Sequence, residues 1–291
     1  MRRHLVEHDD FEVFIATNGG IQDDIPHLKI ERPAWLARLG RTRLWRLVQN
    51  VEMILSSSCL NKDLLSLAKE FQPDAILTVA DLTLSESARK LSIILDLPLL
   101  VNFQDWWPRG QFYYPQERPY SVLVPLFERR FRRMHRSADL VFCTSEGMRK
   151  FLGVHSNSHV LYPIGARKSS DSPTAFEVEA YKSHGKLPKK QLIYTGTAFG
   201  SYGRMLRALA EELKDSDEWE LTIFGATPDW SEEEVEQAKV SGLYQGFLPF
   251  EQLKAKLRQA DACLSVMSFD PKLETMMRTS FTTKVLDYCS A

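Results

Sequence analysis

Nine short apolar runs rich in β-branched residues, with helical stretches between them, restrict this chain to an α/β fold. In the first half they are FEVFIAT (11–17), DAILTVA (74–80), PLLVNF (98–103), LVFCTS (140–145) and HVLYPI (159–164). In the second half they are QLIYTG (191–196), WELTIFG (219–225), GLYQGF (242–247) and ACLSVMS (262–268). Their apolarity is continuous rather than alternating, which marks strands covered on both faces of a parallel sheet. Between them RTRLWRLVQNVEMIL repeats Leu44, Leu47, Val48, Val51 and Leu55 at helical spacing, and SESARKLSIIL, EGMRKFL, GRMLRALAEEL and FEQLKAKLRQA read as further helices. Such alternation predicts doubly wound sheets. The pattern lapses over ARKSSDSPTAFEVEAYKSHGKLPKK (166–190), rich in Ser, Pro, Lys and Gly, and then restarts. Two Rossmann-like domains follow, 1–168 and 190–291, joined by a linker at 169–189, with a ligand expected between them.

Composition excludes several classes. A chain of 291 residues with 44% hydrophobic and 26% charged content is a folded globular protein of two-domain length. Cys59, Cys143, Cys263 and Cys289 lie far apart and form no CxxC pair, which argues against a disulfide framework or a zinc site. No apolar run reaches the roughly 18 residues of a membrane span, and MRRHLVEHDD lacks the apolar centre of a signal peptide. A cytoplasmic protein is the expectation. Charge divides unevenly, +4 over residues 1–170 and −5 over the rest. That is either scatter or a preference of the first half for an anionic partner such as a membrane surface.

Three stretches carry candidate chemistry. In VNFQDWWP (101–108), Asp105 follows a strand end, where open parallel sheets present ligand-binding loops. It either holds or deprotonates a hydroxyl beside two flat tryptophans, or caps a turn beside two packing aromatics. In YTGTAFGSYGRML (194–206), Gly196, Gly200 and Gly203 lie between strand and helix, with Arg204 in the first helical turn. They either cradle phosphate with backbone N–H groups or form a flexible turn. In RTSFTTKVLDYCSA (278–291), Ser280 and Thr282 or Thr283 are N-cap candidates, and Lys284 and Asp287 share a helical face. They either grip a diphosphate and a ribose or form a surface ion pair. ERRFRRMHRSAD (128–139) reads as an amphipathic helix with a solvated basic face, with an anionic lipid contact as the alternative and nucleic acid disfavoured. The seven histidines include HxxxH spacings at His4/His8 and His155/His159 but no HxH pair, and no metal is expected.

Taken in order, these stretches resemble a GT-B glycosyltransferase of the large retaining family 4. FQDWWP is similar to its Asp-Trp-Pro loop, and RSADLVFCTSEGMRKFL with HVLYPIG to its Ala-Asp, strand, Ser-Glu-Gly-Met pattern. LIYTGTAFGSYGRMLRAL, LTIFGA and GLYQGFLPFEQLKAKLRQADACLSVMSFD with TSFTTKVLDYCSA resemble its donor-binding half. The resemblance covers nearly the whole chain. It implies a nucleotide-diphosphate sugar as donor substrate, a saccharide or lipid-linked acceptor, retention, no metal, no nucleic acid, and peripheral contact with the cytoplasmic membrane face. Surface polysaccharide or glycolipid synthesis is the implied setting. By the same resemblance Gly196, Thr197, Arg204, Ser280, Thr283 and Lys284 face the donor phosphates, Asp287 stands where the family places a ribose-binding Glu, Phe247 meets the base, and Asp105 serves the acceptor side. The pattern departs at Thr197 and Tyr202, where Arg and Lys are usual, so that Arg204 or Lys284 compensates, and at Thr279, where an acid is usual. Both sheets are expected to be incomplete, as in a fragment truncated at both ends. A binding protein or inactive homologue and a sugar-nucleotide 2-epimerase are the alternatives.

Overall fold

The computed structural model describes residues 9–19, 26–31, 34–39, 42–55, 60–109, 118–163 and 189–291. The chain divides into unit 1, Met1–Tyr162 with Thr275–Phe281, and unit 2, Pro163–Glu274 with Thr282–Ala291. All of the linker expected at 169–189 except Lys189, and Cys59, lie outside the described residues.

Unit 1 holds a two-stranded parallel ribbon, β1 (Ile15–Thr17) and β2 (His27–Lys29), and a four-stranded parallel sheet in sequence order. The sheet strands are β3 (Ile76–Val79), β4 (Leu99–Phe103), β5 (Leu140–Cys143) and β6 (Ser158–Val160). Central β4 is covered on both faces, with Leu99, Val101 and Phe103 at most 1% exposed on one and Asn102 3% exposed on the other, whereas edge strand β3 alternates and leaves Leu77 and Val79 partly exposed. The helices are α1 (Ala34–Leu39), α2 (Trp45–Leu55), α3 (Lys62–Phe71), α4 (Leu84–Leu95), α5 (Val124–Ser137) and α6 (Glu146–Leu152). Asn61 starts α3 by accepting from the backbone N–H of Asp63 and Leu64, and Ser145 starts α6 by accepting from Met148.

Two helices depart from expectation. The arginines of α5 are not simply a solvated face. Arg130 donates to the carbonyls of Met53 and Ile54 and so caps the end of α2, and Arg132 does the same for α6 through Phe151 and Leu152. Arg133 donates to both oxygens of Glu86, a carboxylate only 3% exposed. The apolar stripe of α2 faces outward rather than inward. Leu44 just before the helix, and Leu47, Val51 and Leu55 within it, are exposed while Gln49, Asn50 and Met53 are buried.

The late segment in unit 1 contains α10 (Glu274–Thr279), all but its first residue belonging to this unit. Ser145 Oγ donates to the Thr279 carbonyl at 2.7 Å, and a Cβ on Gly147 would overlap the Arg278 carbonyl. Glycine at 147 is therefore the residue that lets α6 approach this backbone.

Unit 2 holds β7 (Lys190–Thr195), β8 (Trp219–Phe224), β9 (Tyr244–Gly246) and β10 (Ala262–Cys263), all parallel, in the order β10-β7-β8-β9. Between and after them run α7 (Ser201–Leu213), α8 (Glu232–Val240), α9 (Phe250–Arg258) and α11 (Lys284–Ser290). Ser231 and Glu234 form a reciprocal capping box at the start of α8. Tyr194, Leu206, Leu221 and Ile223 centre the core. Each unit thus carries a Rossmann-like parallel sheet with intervening helices, the fold class expected.

Candidate functional site

The strand order of unit 2 reverses between β10 and β7, and in open parallel sheets ligands gather at the carboxyl ends of strands beside such a reversal. Tyr288 bridges it. Its hydroxyl accepts from the Thr195 N–H at 3.1 Å and from Thr195 Oγ1, and donates to the Leu264 carbonyl at 3.0 Å. This tyrosine sets α11 across the ends of both strands, four residues after Lys284 on the same helix.

Lys284 is the chemically distinctive group here. Its Nζ donates to the Tyr194 hydroxyl, which in turn donates to the Thr197 carbonyl at 2.7 Å. The ammonium stands 4.2 Å from the Tyr194 ring centroid and 5.2 Å from that of Tyr202. Burial pushes its pKa down to about 8, with no carboxylate opposing the shift among the described residues. Burial also pushes the Tyr194 phenol up, so that the hydroxyl stays protonated beside it. The lysine stem fits only because residue 196 lacks a side chain. A Cβ on Gly196, whose φ is +113°, would lie 2.5 Å from Lys284 Cε.

The glycines provide clearance rather than a cradle of free amides. The Gly196 N–H donates to the Phe224 carbonyl, that of Gly203 to Phe199, and that of Gly200 to the Asp229 carboxylate at 2.9 Å. Asp229 occupies the start of α7, an end whose aligned peptide dipoles favour negative charge. A Cβ on Gly203 would lie 2.6 Å from the Ala198 carbonyl oxygen and 2.8 Å from Asp229 Oδ1. The start of α11 is likewise engaged. The Val285 and Leu286 N–H groups turn back onto the carbonyls of Thr282 and Thr283, and Thr283 accepts no side-chain cap bond. What this end of unit 2 offers an anion is a side-chain cation.

Of the other residues expected in unit 2, Thr197, Arg204 and Thr283 are exposed, Arg204 lying in the first turn of α7. Phe247 is 79% exposed in the loop after β9. Asp287 is half-buried on α11, its carboxyl pushed up by burial, and it forms no ion pair with Lys284. The surface Lys–Asp pair considered from the sequence is therefore not what these residues make.

Ser280 belongs to unit 1, where its hydroxyl donates to Asp105 Oδ1 at 2.9 Å. Burial raises the Asp105 carboxyl pKa, and the Ser280 hydrogen bond partly offsets this by favouring the charged form. Trp106 offers no open ring face. It is fully buried, edge-on to Phe131 and Phe151, with the Arg132 guanidinium 5.4 Å from its centroid. Thr279 is also fully buried and bonds Thr275 one turn back. Asp229, Tyr194 and Tyr288 were missed from the sequence. Asp229 lies 29 positions from Gly200, and neither tyrosine was assigned a role, although Tyr288 directly follows Asp287 in the stretch that resembles the donor-binding half.

Residues 1–163 match the family model described as Glycosyltransferase Family 4. No curated protein matches the chain. Similar solved structures include Anabaena HepE in complex with UDP-glucose, at 16% identity and TM-score 0.47, covering 86% of this chain and 65% of that one. Acinetobacter baumannii MurG aligns at 12% identity and TM-score 0.43, covering 92% and 75%. S. aureus MnaA with UDP aligns at 12% and 0.42, covering 86% and 61%. This chain spans less than two thirds of the HepE and MnaA chains. The family match extends over more than half of the 291 residues, and the chain belongs to glycosyltransferase family 4.

Proposed function

We propose that the chain takes a nucleotide-diphosphate sugar as donor and transfers the sugar, with retention, to a saccharide or lipid-linked acceptor in surface polysaccharide or glycolipid assembly. The observation that carries this reading is Lys284, a half-buried cation held by two tyrosines at the sheet reversal with no carboxylate among the described residues to neutralise it. Desolvation makes that ammonium costly until an anion arrives, and a diphosphate meets the demand. During transfer the bond from the anomeric carbon to the diphosphate oxygen breaks, and the acceptor oxygen bonds that carbon on the same face. The acceptor proton passes to the departing phosphate. Lys284 stabilises the charge that develops on the leaving group, so the scheme needs no metal. Asp287 is assigned to the ribose hydroxyls, Phe247 to the base, and Asp105, oriented by Ser280, to the acceptor hydroxyl.

Titration with UDP and GDP tests the donor assignment. Lys284→Ala should weaken binding of the favoured nucleotide by roughly 10- to 100-fold, the worth of a charge-assisted contact. Asp105→Ala should leave binding within about twofold, since its assigned partner is the acceptor. Affinity should hold below pH 7 and fall as pH rises through about 8, because the free lysine then loses the proton that attracts phosphate. Equal losses in both variants, or no nucleotide binding by the wild type, reject the assignment. A second reading, a chain that binds sugar nucleotides without turnover, draws on Thr279, buried and bonded within its own helix where the family has an acid. Donor hydrolysis measured on a chain that binds UDP separates the two.

Asp229 sets a second expectation. Its carboxylate already satisfies the start of α7 and repels a further anion there. Asp229→Asn keeps an acceptor for Gly200 and removes the charge, so nucleotide affinity should rise roughly two- to fivefold at low salt and less at high salt. An unchanged or lower affinity places the phosphates away from α7.

A further inference from the structure

We propose that Tyr194 is the positioning residue for Lys284, a phenol on a central strand whose hydroxyl aims the lysine ammonium at the donor phosphates. This role rests on the assignment of Lys284 to the donor diphosphate. The direction of two hydrogen bonds carries it. The Tyr194 hydroxyl donates to the Thr197 carbonyl at 2.7 Å, which uses its one proton and leaves its lone pairs for Nζ of Lys284. An ammonium can only donate, so the Thr197 carbonyl fixes the hydroxyl and the hydroxyl fixes the lysine. Tyr194 itself cannot swing away. It is wholly buried, packed in one core with Leu206, Leu221 and Ile223, and β7 is paired on both sides by β8 and β10. The lysine stem reaches this acceptor through the clearance at Gly196, with Nζ 5.2 Å from the Tyr202 ring centroid. A rigid acceptor at the carboxyl end of the sheet therefore holds a flexible cation in one place.

A phenol suits this task where a carboxylate would not. A carboxylate would neutralise the ammonium and compete with an arriving diphosphate, whereas a neutral acceptor orients the lysine and leaves its charge unspent. The titratable groups around the lysine are Tyr194 on β7, Tyr202 on α7, and Asp287 and Tyr288 on α11 itself. Burial raises the Asp287 carboxyl and the Tyr194 and Tyr288 phenols, so both phenols stay protonated through about pH 8. Burial alone draws the lysine down to about 8. The Tyr194 hydroxyl accepts from the charged form and so favours it. Without that acceptor the ammonium gives up its proton at a lower pH still.

Tyr194→Phe tests this, because it keeps the ring in the core and deletes only the hydroxyl. In protein carrying isotope-labelled lysine and no nucleotide, the Lys284 Cε resonance is assigned by its absence from Lys284→Arg. In Tyr194→Phe it should titrate lower than in the wild type by about one pH unit or more. UDP affinity of the variant should then fall about fivefold or more at about pH 8, yet about twofold or less at about pH 6, where the lysine is protonated in both proteins. A merely structural tyrosine would lower affinity equally at both. An unshifted lysine resonance overturns the proposal whether or not UDP binds, and so does an equal loss of affinity at the two pH values. If the resonance shifts but Lys284→Ala binds UDP like the wild type, the donor assignment fails and the proposed aim at phosphate fails with it. If Tyr194→Phe folds poorly, the wild type decides. Its Tyr194 Cζ resonance should move with the same midpoint as Lys284 Cε, and a Cζ that does not respond to the lysine overturns the proposal.

Discussion

Trp106→Ala is expected to destabilise unit 1 by about 4 kcal/mol, read as a lowered denaturant midpoint by circular dichroism. The indole is wholly buried, with ring centroids 5.1 Å from Phe131 and 4.7 Å from Phe151, both edge-to-face. It therefore contributes quadrupolar contacts as well as area. Deleting it leaves a cavity beside Phe131 and Phe151, side chains of two helices that rigid backbones keep from closing in. Trp106→Phe should cost much less, about 1–2 kcal/mol, because the indole N–H is buried without a partner and its removal relieves that penalty. A phenylalanine variant as unstable as the alanine variant would show that ring size, not apolar contact, dominates. The same residue anchors the loop that carries Asp105. Turnover should thus fall in Trp106→Ala under conditions where it remains folded, as the carboxylate loses its fixed position beside Ser280.

The contrast between Trp106 and α2 explains how far the amino-acid sequence could be read. The apolar runs at 98–103, 140–145, 191–196 and 219–225 became β4, β5, β7 and β8 because strands covered on two faces keep a predominantly apolar run with few polar positions to disguise it. β2, three residues with His and Lys at its ends, had no such signature. The helix at Lys62–Phe71 and the one at Glu232–Val240 did announce themselves, through Asn61 and through Ser231 with Glu234, and a search for capping pairs would have found them. Periodicity located the stripe on α2 but not its direction. Which face turns inward was decided by Asn50 bonding a segment some 70 positions away. At the candidate site the same limit applies. Lys284 and Gly196 were legible as residue types, whereas the tyrosines that hold the lysine, and the carboxylate that fills the start of α7, come from strands and loops distant in sequence.

Gly225→Ala should lower the stability of unit 2 by at least about 3 kcal/mol, more than its half-buried position after β8 suggests. Residue 225 has φ of +152°, and a Cβ there would overlap the Gly196 carbonyl oxygen and lie 2.8 Å from its carbon. Neither backbone can yield cheaply. The Gly225 N–H donates to the Gly246 carbonyl, its own carbonyl accepts from Tyr244, and the Gly196 N–H is bound to Phe224. These bonds tie the ends of β7, β8 and β9 together, so a methyl group must pry open the sheet edge or displace Gly196. Displacement of Gly196 moves the floor under the Lys284 stem, and nucleotide affinity should fall by roughly tenfold even in the folded variant. Gly200→Ala separates conformational strain from collision. Its φ is +62° but a Cβ there meets nothing within 4 Å, so only the backbone penalty of about 1–2 kcal/mol applies. If the two variants lose equal stability, crowding between residues 196 and 225 is not what shapes the lysine's seat. If Gly225→Ala is unstable yet binds UDP like the wild type, the seat does not depend on Gly196, and the donor phosphates must be held by another part of the unit.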